Sequence, residues 1–234
     1  MKHYAYESPF KMKDEKGMKY TLEVKAADYA ENPREWKNFC TMICWHNRYF
    51  LGDKHHFSNP LLFMSALYEG VMGENWFDNH KIDNWSDIFK ALQESNLILI
   101  KAIYLYDHSG ITVSTSRAYP YNDHWDSCIT GFIYVTKKTI LEETGLATEE
   151  TWKDVAEDFI KAEMEVYDQY LRGDVYGYTL TRTVVKQEKC PHCGEVIREY
   201  EDEEYDDSSW GFYGDCLEDN GILDHLGGLE FVED

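Results

Sequence analysis

Residues 148–172 carry one apolar stripe at the spacing of an α-helix, and Gly173 stands where a helix end calls for a left-handed residue. Trp152, Val155, Ala156, Phe159, Ile160, Val166, Tyr167, Tyr170 and Leu171 share the stripe. Lys153, Asp154, Glu157, Asp158, Lys161, Glu165, Asp168 and Arg172 face away, with Glu157 and Lys161 spaced for a favourable pair. A long helix with a single apolar face has to bury it against another layer of structure. Glu163 breaks the pattern, because at about 100° per residue it falls near the centre of the stripe. An unpaired carboxylate is costly there. The position predicts either an ion pair, with Arg48 or Arg117, or a functional acid with a displaced pKa.

The layer that covers the helix is legible as strands. Residues 20–25 alternate and read as a first strand, and the apolar run 41–46 reads as a central one. Asn59-Pro60 opens a helix through about Val71, with Leu62, Phe63, Ala66 and Leu67 inward. A second short helix follows Asn84 through Ile88, Phe89 and Leu92. Residues 97–106 form a buried strand, His108-Ser109-Gly110 a turn, 111–116 the returning strand and 131–136 another. Beyond Gly173, residues 175–185 and 195–200 pair as a hairpin with Cys190-Pro191-His192-Cys193-Gly194 at its tip. Residues 210–214 read as a strand or tight loop, and a last short helix starts near Asn220. The predicted fold is α+β, a mostly antiparallel sheet packed by helices. It holds one long amphipathic helix at about 148–172 and a Cys-tipped β-hairpin. No linker run divides the chain, so 1–234 reads as a single domain with an acidic hairpin region at about 175–234.

Charge narrows the function classes. The chain has 44 acidic and 23 basic residues, a net −21, and residues 199–234 hold 14 acids with no Lys or Arg. Such a field repels nucleic acid and anionic membranes over roughly a Debye length, and it favours a basic partner. The plainer reading is that the acidity only keeps the chain soluble. No stretch approaches the roughly 20 apolar residues of a membrane span, and the start has no apolar signal core. The six cysteines, at 40, 44, 128, 190, 193 and 216, are too sparse for a secreted disulfide framework. A cytoplasmic protein is expected.

Several stretches read together as a family pattern. They are Asn32-Pro33-Arg34-Glu35-Trp36, residues 41–49 with Leu51-Gly52-Asp53, Tyr106-Asp107-His108-Ser109-Gly110-Ile111-Thr112, Trp125-Asp126-Ser127, residues 167–177, and Trp210-Gly211-Phe212-Tyr213-Gly214. Across about residues 32–226 the chain resembles an uncharacterised family of phage and mobile-element accessory proteins. The resemblance implies a setting rather than a reaction: small acidic phage proteins often bind host enzymes, and some act as DNA mimics or counter-defence inhibitors. The family's pattern has a Cys just before the Trp-Gly-Phe-Tyr-Gly run. This chain has Ser209, which leaves a thiol role there unsupported.

Two groups of residues carry chemistry. Cys190 and Cys193, with the Gly that follows, form one half of a tetrahedral zinc site, a zinc knuckle. Its completion calls for Cys216, His192, His225 or Cys128, or for a metal shared by two chains. A zinc here is structural, and the alternative is an unmetallated tip with free thiols. Cys40 and Cys44 read as small hydrophobes in or beside a strand. The second group is Asp107, His108, His124, Asp126 and Glu163, with Asp53, His55 and His56 nearby in the pattern. If they converge, they can hold a divalent metal for hydrolysis. A triad of Ser109 or Ser127 with His108 and Asp126 is a weaker option, and the plain reading is turn-capping.

The sequence therefore leans away from an enzyme. It favours a binding protein that presents Glu199, Glu201, Asp202, Glu203, Glu204, Asp206 and Asp207 to a basic protein surface, such as a host nucleic-acid-binding or defence protein. The alternative is a metal-dependent hydrolase of a nucleotide or another small phosphate.

Overall fold

Two antiparallel sheets, each with its own core, organise the chain. The computed structural model describes residues 2–79, 84–123 and 125–232. In chain order the strands are β1 (Phe10–Lys13), β2 (Lys19–Ala26), β3 (Thr41–Cys44), β4 (Ile98–Asp107), β5 (Ile111–Ser114), β6 (Ser127–Thr136), β7 (Val175–Lys189), β8 (Val196–Tyr213) and β9 (Glu230–Phe231). The helices are α1 (Pro60–Met72), α2 (Trp76–Asn79), α3 (Trp85–Glu94), α4 (Lys137–Thr139), α5 (Trp152–Arg172) and α6 (Ile222–His225). The α+β class expected from the sequence is the observed one. Among the described residues no helix is long and apolar enough to cross a membrane.

The chain divides into two units, one of Met1–Glu31 with Gly173–Asp234, the other Asn32–Arg172. Neither crossing carries a Pro- or Gly-rich linker, so nothing in the sequence marks the division.

The Asn32–Arg172 unit is a sheet of order β3-β6-β4-β5 with helices on both faces. On one face Met42, Ile103, Leu105, Ile133 and Val135 pack against Trp152, Ala156, Ile160, Met164 and Tyr167 of α5. On the other face Ile43, Ile98, Ile100 and Phe132 meet Phe63, Met64, Ile88 and Leu92 from α1 and α3. Burial on both faces explains why β3 reads as a central strand. It is in fact at the sheet edge, with only an isolated bridge from Ile43 to Gly52 outside it.

Local phases differ from expectation in places. Asn59 caps α1 as predicted, its side chain accepting from the Leu62 N–H. The buried stripe of α1 is Phe63, Met64 and Tyr68, while Leu62 and Ala66 are exposed. In α5, Glu157 pairs with Lys101 of β4 rather than with Lys161. Asp168, expected outward, turns in and accepts from the Thr112 hydroxyl at 2.5 Å and the Val113 N–H at 2.7 Å.

The other unit is a sheet of order β8-β7-β2-β1-β9. The strand expected first, β2, is preceded by β1, whose four residues are too few for a clear period. Phe10, Met12, Leu22, Val24, Tyr178, Leu180 and Phe212 form one apolar face, closed by Leu217, Ile222 and Leu226. The β7–β8 hairpin is far longer than its apolar pattern suggests. Among the described residues β2 pairs with β7 as far as Tyr20–Arg182, and from Thr183 to Lys189 the strand partner is β8 alone. The acidic run, read from sequence as a solvated loop or contact patch, is part of strand β8.

Candidate functional site

The predicted inward acid, Glu163, sits in a buried charge network. Its partner is Arg34, not Arg48 or Arg117: Arg34 Nη1 lies 2.8 Å from Glu163 Oε2. Arg34 also forks onto Asp53, with Nε and Nη2 at 2.8 and 3.1 Å from its two oxygens, and donates to the Cys40 carbonyl. Glu163 Oε1 accepts from the N–H groups of Phe39 and Cys40, both at 3.0 Å, and Asp53 accepts from the Met42 N–H. Burial opposes the Arg34 charge, but the two carboxylates outweigh it and raise its pKa. The carboxylates are committed to Arg34 and backbone amides. The network therefore ties the Pro33–Glu35 turn, the Asp53 loop, β3 and α5 together.

Asp107, His108 and Asp126 gather elsewhere, at the β4–β5 turn. Asp107 pairs with exposed Arg48 at 2.5 Å and lies 3.3 Å from the Tyr49 hydroxyl. His108 Nδ1 is 3.0 Å from Asp126 Oδ2, and the Asp107 N–H donates to the Asp126 carbonyl. Ser127 donates to the Pro120 carbonyl at 3.0 Å, so its hydroxyl is engaged away from His108. His124 lies outside the described residues. The polar cluster thus falls into two networks, one with Asp107, His108 and Asp126, the other with Glu163 and Asp53. Among the described residues no group of three or more His, Cys, Asp and Glu is placed to hold a metal ion.

Asp53 and His55 border an open groove of about 550 Å³ with Trp45, His46, Tyr49 and Phe50. His55 Nε2 lies 2.8 Å from the Cys44 carbonyl, and its buried Nδ1 has no hydrogen-bond partner among the described residues. Cys40 and Cys44 are buried as expected, and burial pushes the Cys44 thiol up to about 12.

The acidic strand is the most extended polar feature. β8 is the outermost strand of its sheet, with no strand on its far side among the described residues. Its inner neighbours supply counter-charges: Lys186 lies 2.7 Å from Asp202 and 3.3 Å from Glu204, Arg182 lies 3.2 Å from Glu204, and Lys19 lies 3.6 Å from Glu201. Hydrogen bonds from Lys186 hold the Asp202 and Glu204 carboxyls below their ordinary range. Glu199 accepts from Gln187, Glu203 from Thr21 and Asp207 from Tyr178. Glu199, Glu201, Glu203, Asp206 and Asp207 are exposed. The bases were the residues missed from sequence. Their signal was Arg182 falling opposite Glu204, and Lys186 opposite Tyr200 two residues from Asp202, once the hairpin register is set.

At the far end of this ribbon is the Cys190–Gly194 turn. The Cys190 N–H donates to the Glu195 carbonyl at 2.7 Å, and the Gly194 N–H to the Cys190 carbonyl at 2.8 Å. Gly194 has φ +77°, a conformation that a residue without Cβ adopts freely. The turn's amides, those of Cys193 and His192 foremost, lower the Cys190 thiol pKa, and the Cys193 thiol lies 3.8 Å from Glu195 Oε2.

Comparison with protein-family models, curated proteins and solved structures gives no match.

Two of the residues considered for completing the zinc knuckle lie at the other end of β8. Cys216 follows that 18-residue strand, on the order of 60 Å along the chain from the tip at about 3.3 Å per residue, and His225 packs edge-on to Phe212. Neither can share an ion with Cys190. Cys128 stands on β6 of the other unit, and His192 is exposed on the tip itself.

Proposed function

We propose that this chain is an acidic binding protein that holds a basic protein surface along β8. The observation that carries the reading is an edge strand, open among the described residues, with seven carboxylates in residues 199–207 whose counter-charges Lys19, Arg182 and Lys186 stand on β2 and β7. An open edge offers main-chain donors and acceptors to an added strand, and the acids select a basic one.

Magnitudes favour a basic protein patch over strict imitation of DNA. Seven charges over about 27 Å of strand is roughly one per 4 Å, near the one per 3.4 Å of a single DNA strand. Lys19, Arg182 and Lys186 offset three of the seven, leaving four. That is about one per 7 Å, roughly a quarter of the duplex density. In the phage setting that the resemblance implies, the partner is a nucleic-acid-binding or defence protein in the host cytoplasm, held as a counter-defence target.

The test uses purified basic nucleic-acid-binding proteins of a bacterial host as probes. The chain should bind at least one of them with an affinity that falls steeply with salt. The E199K/E201K/E203K/D206K variant should bind at least tenfold more weakly with its melting temperature preserved. Equal binding by that variant, or salt-independent binding, would remove β8 from the reading.

A further inference from the structure

The ribbon tip presents half of a metal site at the end of an arm. Cys190 and Cys193 share one tight turn, closed by the Gly194 N–H on the Cys190 carbonyl at 2.8 Å and the Cys190 N–H on the Glu195 carbonyl at 2.7 Å. Cys193 is exposed and Cys190 half-buried, so both are open to a ligand. A structural zinc takes four protein ligands, and no third one gathers with these two among the described residues. The seven residues Thr183–Lys189 run past the last strand that supports β7, so the thiols stand about 23 Å beyond it. A two-stranded ribbon of this kind is marginal in water without further packing or a staple.

We propose that two copies of this chain share one zinc ion tip to tip, each supplying Cys190 and Cys193. Four thiols release their protons to solvent and four Zn–S bonds form. Charge selects a second copy as the occupant. Residues 186–198 hold Lys186, Lys189 and Arg198 against Glu188 and Glu195, a net +1 in a chain of −21. Glu199, the nearest of the acidic run, is six residues from Cys193, about 20 Å along the strand and roughly two Debye lengths. Two tips therefore meet with the acidic run held back; Arg198 is paired with Glu188 at 2.6 Å, and Lys189 of each chain, next to Cys190, offsets the Glu195 carboxylate 3.8 Å from the Cys193 sulfur. This proposal is independent of the acid-strand reading.

The test is the full chain, expressed with zinc and kept in a non-chelating reductant so that no disulfide forms. Half a zinc per chain and a mass of twice 27.6 kDa by light scattering are expected, with reversion to monomer in EDTA. C190S and C193S should each lose both zinc and dimer with the melting temperature retained, whereas C128S keeps both. The E199K/E201K/E203K/D206K variant should still dimerise, which separates failure of this inference from failure of the partner reading. One zinc per chain, a zinc-loaded monomer, or no zinc would each overturn it.

Discussion

Arg34 Nη1 stands 2.8 Å from Glu163 Oε2, although 129 residues separate the two in sequence, and the Arg34 side chain is only 2% exposed. The acid that interrupts the apolar stripe of α5 is thus the counter-ion of a buried guanidinium. Removing one member of such a network leaves the other charge buried without its partner.

E163A and R34M should therefore each destabilise the Asn32–Arg172 unit by about 3–5 kcal/mol. E163A leaves Arg34 with Asp53 and the Cys40 carbonyl and frees the Phe39 and Cys40 amides, whereas R34M strands two carboxylates. E163Q keeps a hydrogen-bonding side chain and should cost less than E163A. Urea unfolding measures all three, and a cost for E163A below about 1 kcal/mol would show that the network is dispensable.

Two glycines differ in what would have to move. A Cβ at Gly131 would stand 2.3 Å from the Ile43 carbonyl oxygen and 2.7 Å from the Cys44 sulfur, so β3 itself must shift. A Cβ at Gly177 would meet the Trp210 ring at 2.1 Å, but that ring is 53% exposed and can swing outward. G131A should cost more than G177A, with G177A inside the roughly 1–3 kcal/mol of ordinary overpacking. Thermal unfolding of the two variants gives the order, and the reverse order would mean that β3 yields more easily than the ring.

Acid sensitivity should concentrate at Glu218. Burial works against its charge, but the backbone N–H and ring of His3 donate to it and hold its carboxyl down to about 2. A depressed folded-state pKa gives stability that is complete above the ordinary value of 4.5 and is lost as pH falls toward 2. E218Q should lower the melting temperature above about pH 4.5 and flatten the profile across that window, so that the two proteins converge near pH 2. A wild-type and E218Q pair with parallel acid limbs would assign the loss to other carboxylates.

Legibility followed the range of the signal. The period of α5, the Asn59 and Asn84 caps and the Cys-x-x-Cys turn are local patterns, and the structure has each of them where the sequence places it. β8 was hidden because acids at nearly every position from 199 to 207 erase the alternation of a half-buried strand, and Asp and Glu are poor strand formers. Its register comes from β7, where Thr183, Val184 and Val185 face Glu203, Asp202 and Glu201. The partner of Glu163 was illegible for another reason: no spacing rule reaches across 129 residues to single out Arg34. The Asp107, His108 and Asp126 group was legible as a turn cluster, and its separation from Glu163 depends on which side of the sheet each element covers.

The ribbon also predicts where the chain opens first. Leu22, Tyr178 and Leu180 lie where β2 pairs with β7, with their side chains in the core. Residues 183–189 and 196–203 pair in the ladder with each other among the described residues, β2 reaching them through Lys19 on Glu201 and Thr21 on Glu203, and their side chains are largely exposed, among them Val185 at 65% and Ile197 at 61%. Local opening there releases few buried contacts, so its free energy sits well below that of global unfolding. Amide hydrogen exchange in EDTA should be at least tenfold faster across 184–189 and 196–202 than at the β2–β7 pairs near Leu180. Zinc at the tip would close the loop between Cys190 and Cys193 and remove the fraying end, so adding it should slow exchange in the ribbon and leave the β2–β7 amides unchanged. Ribbon amides as slow as those at Leu180 without metal would mean that the arm is supported by something other than its own two strands.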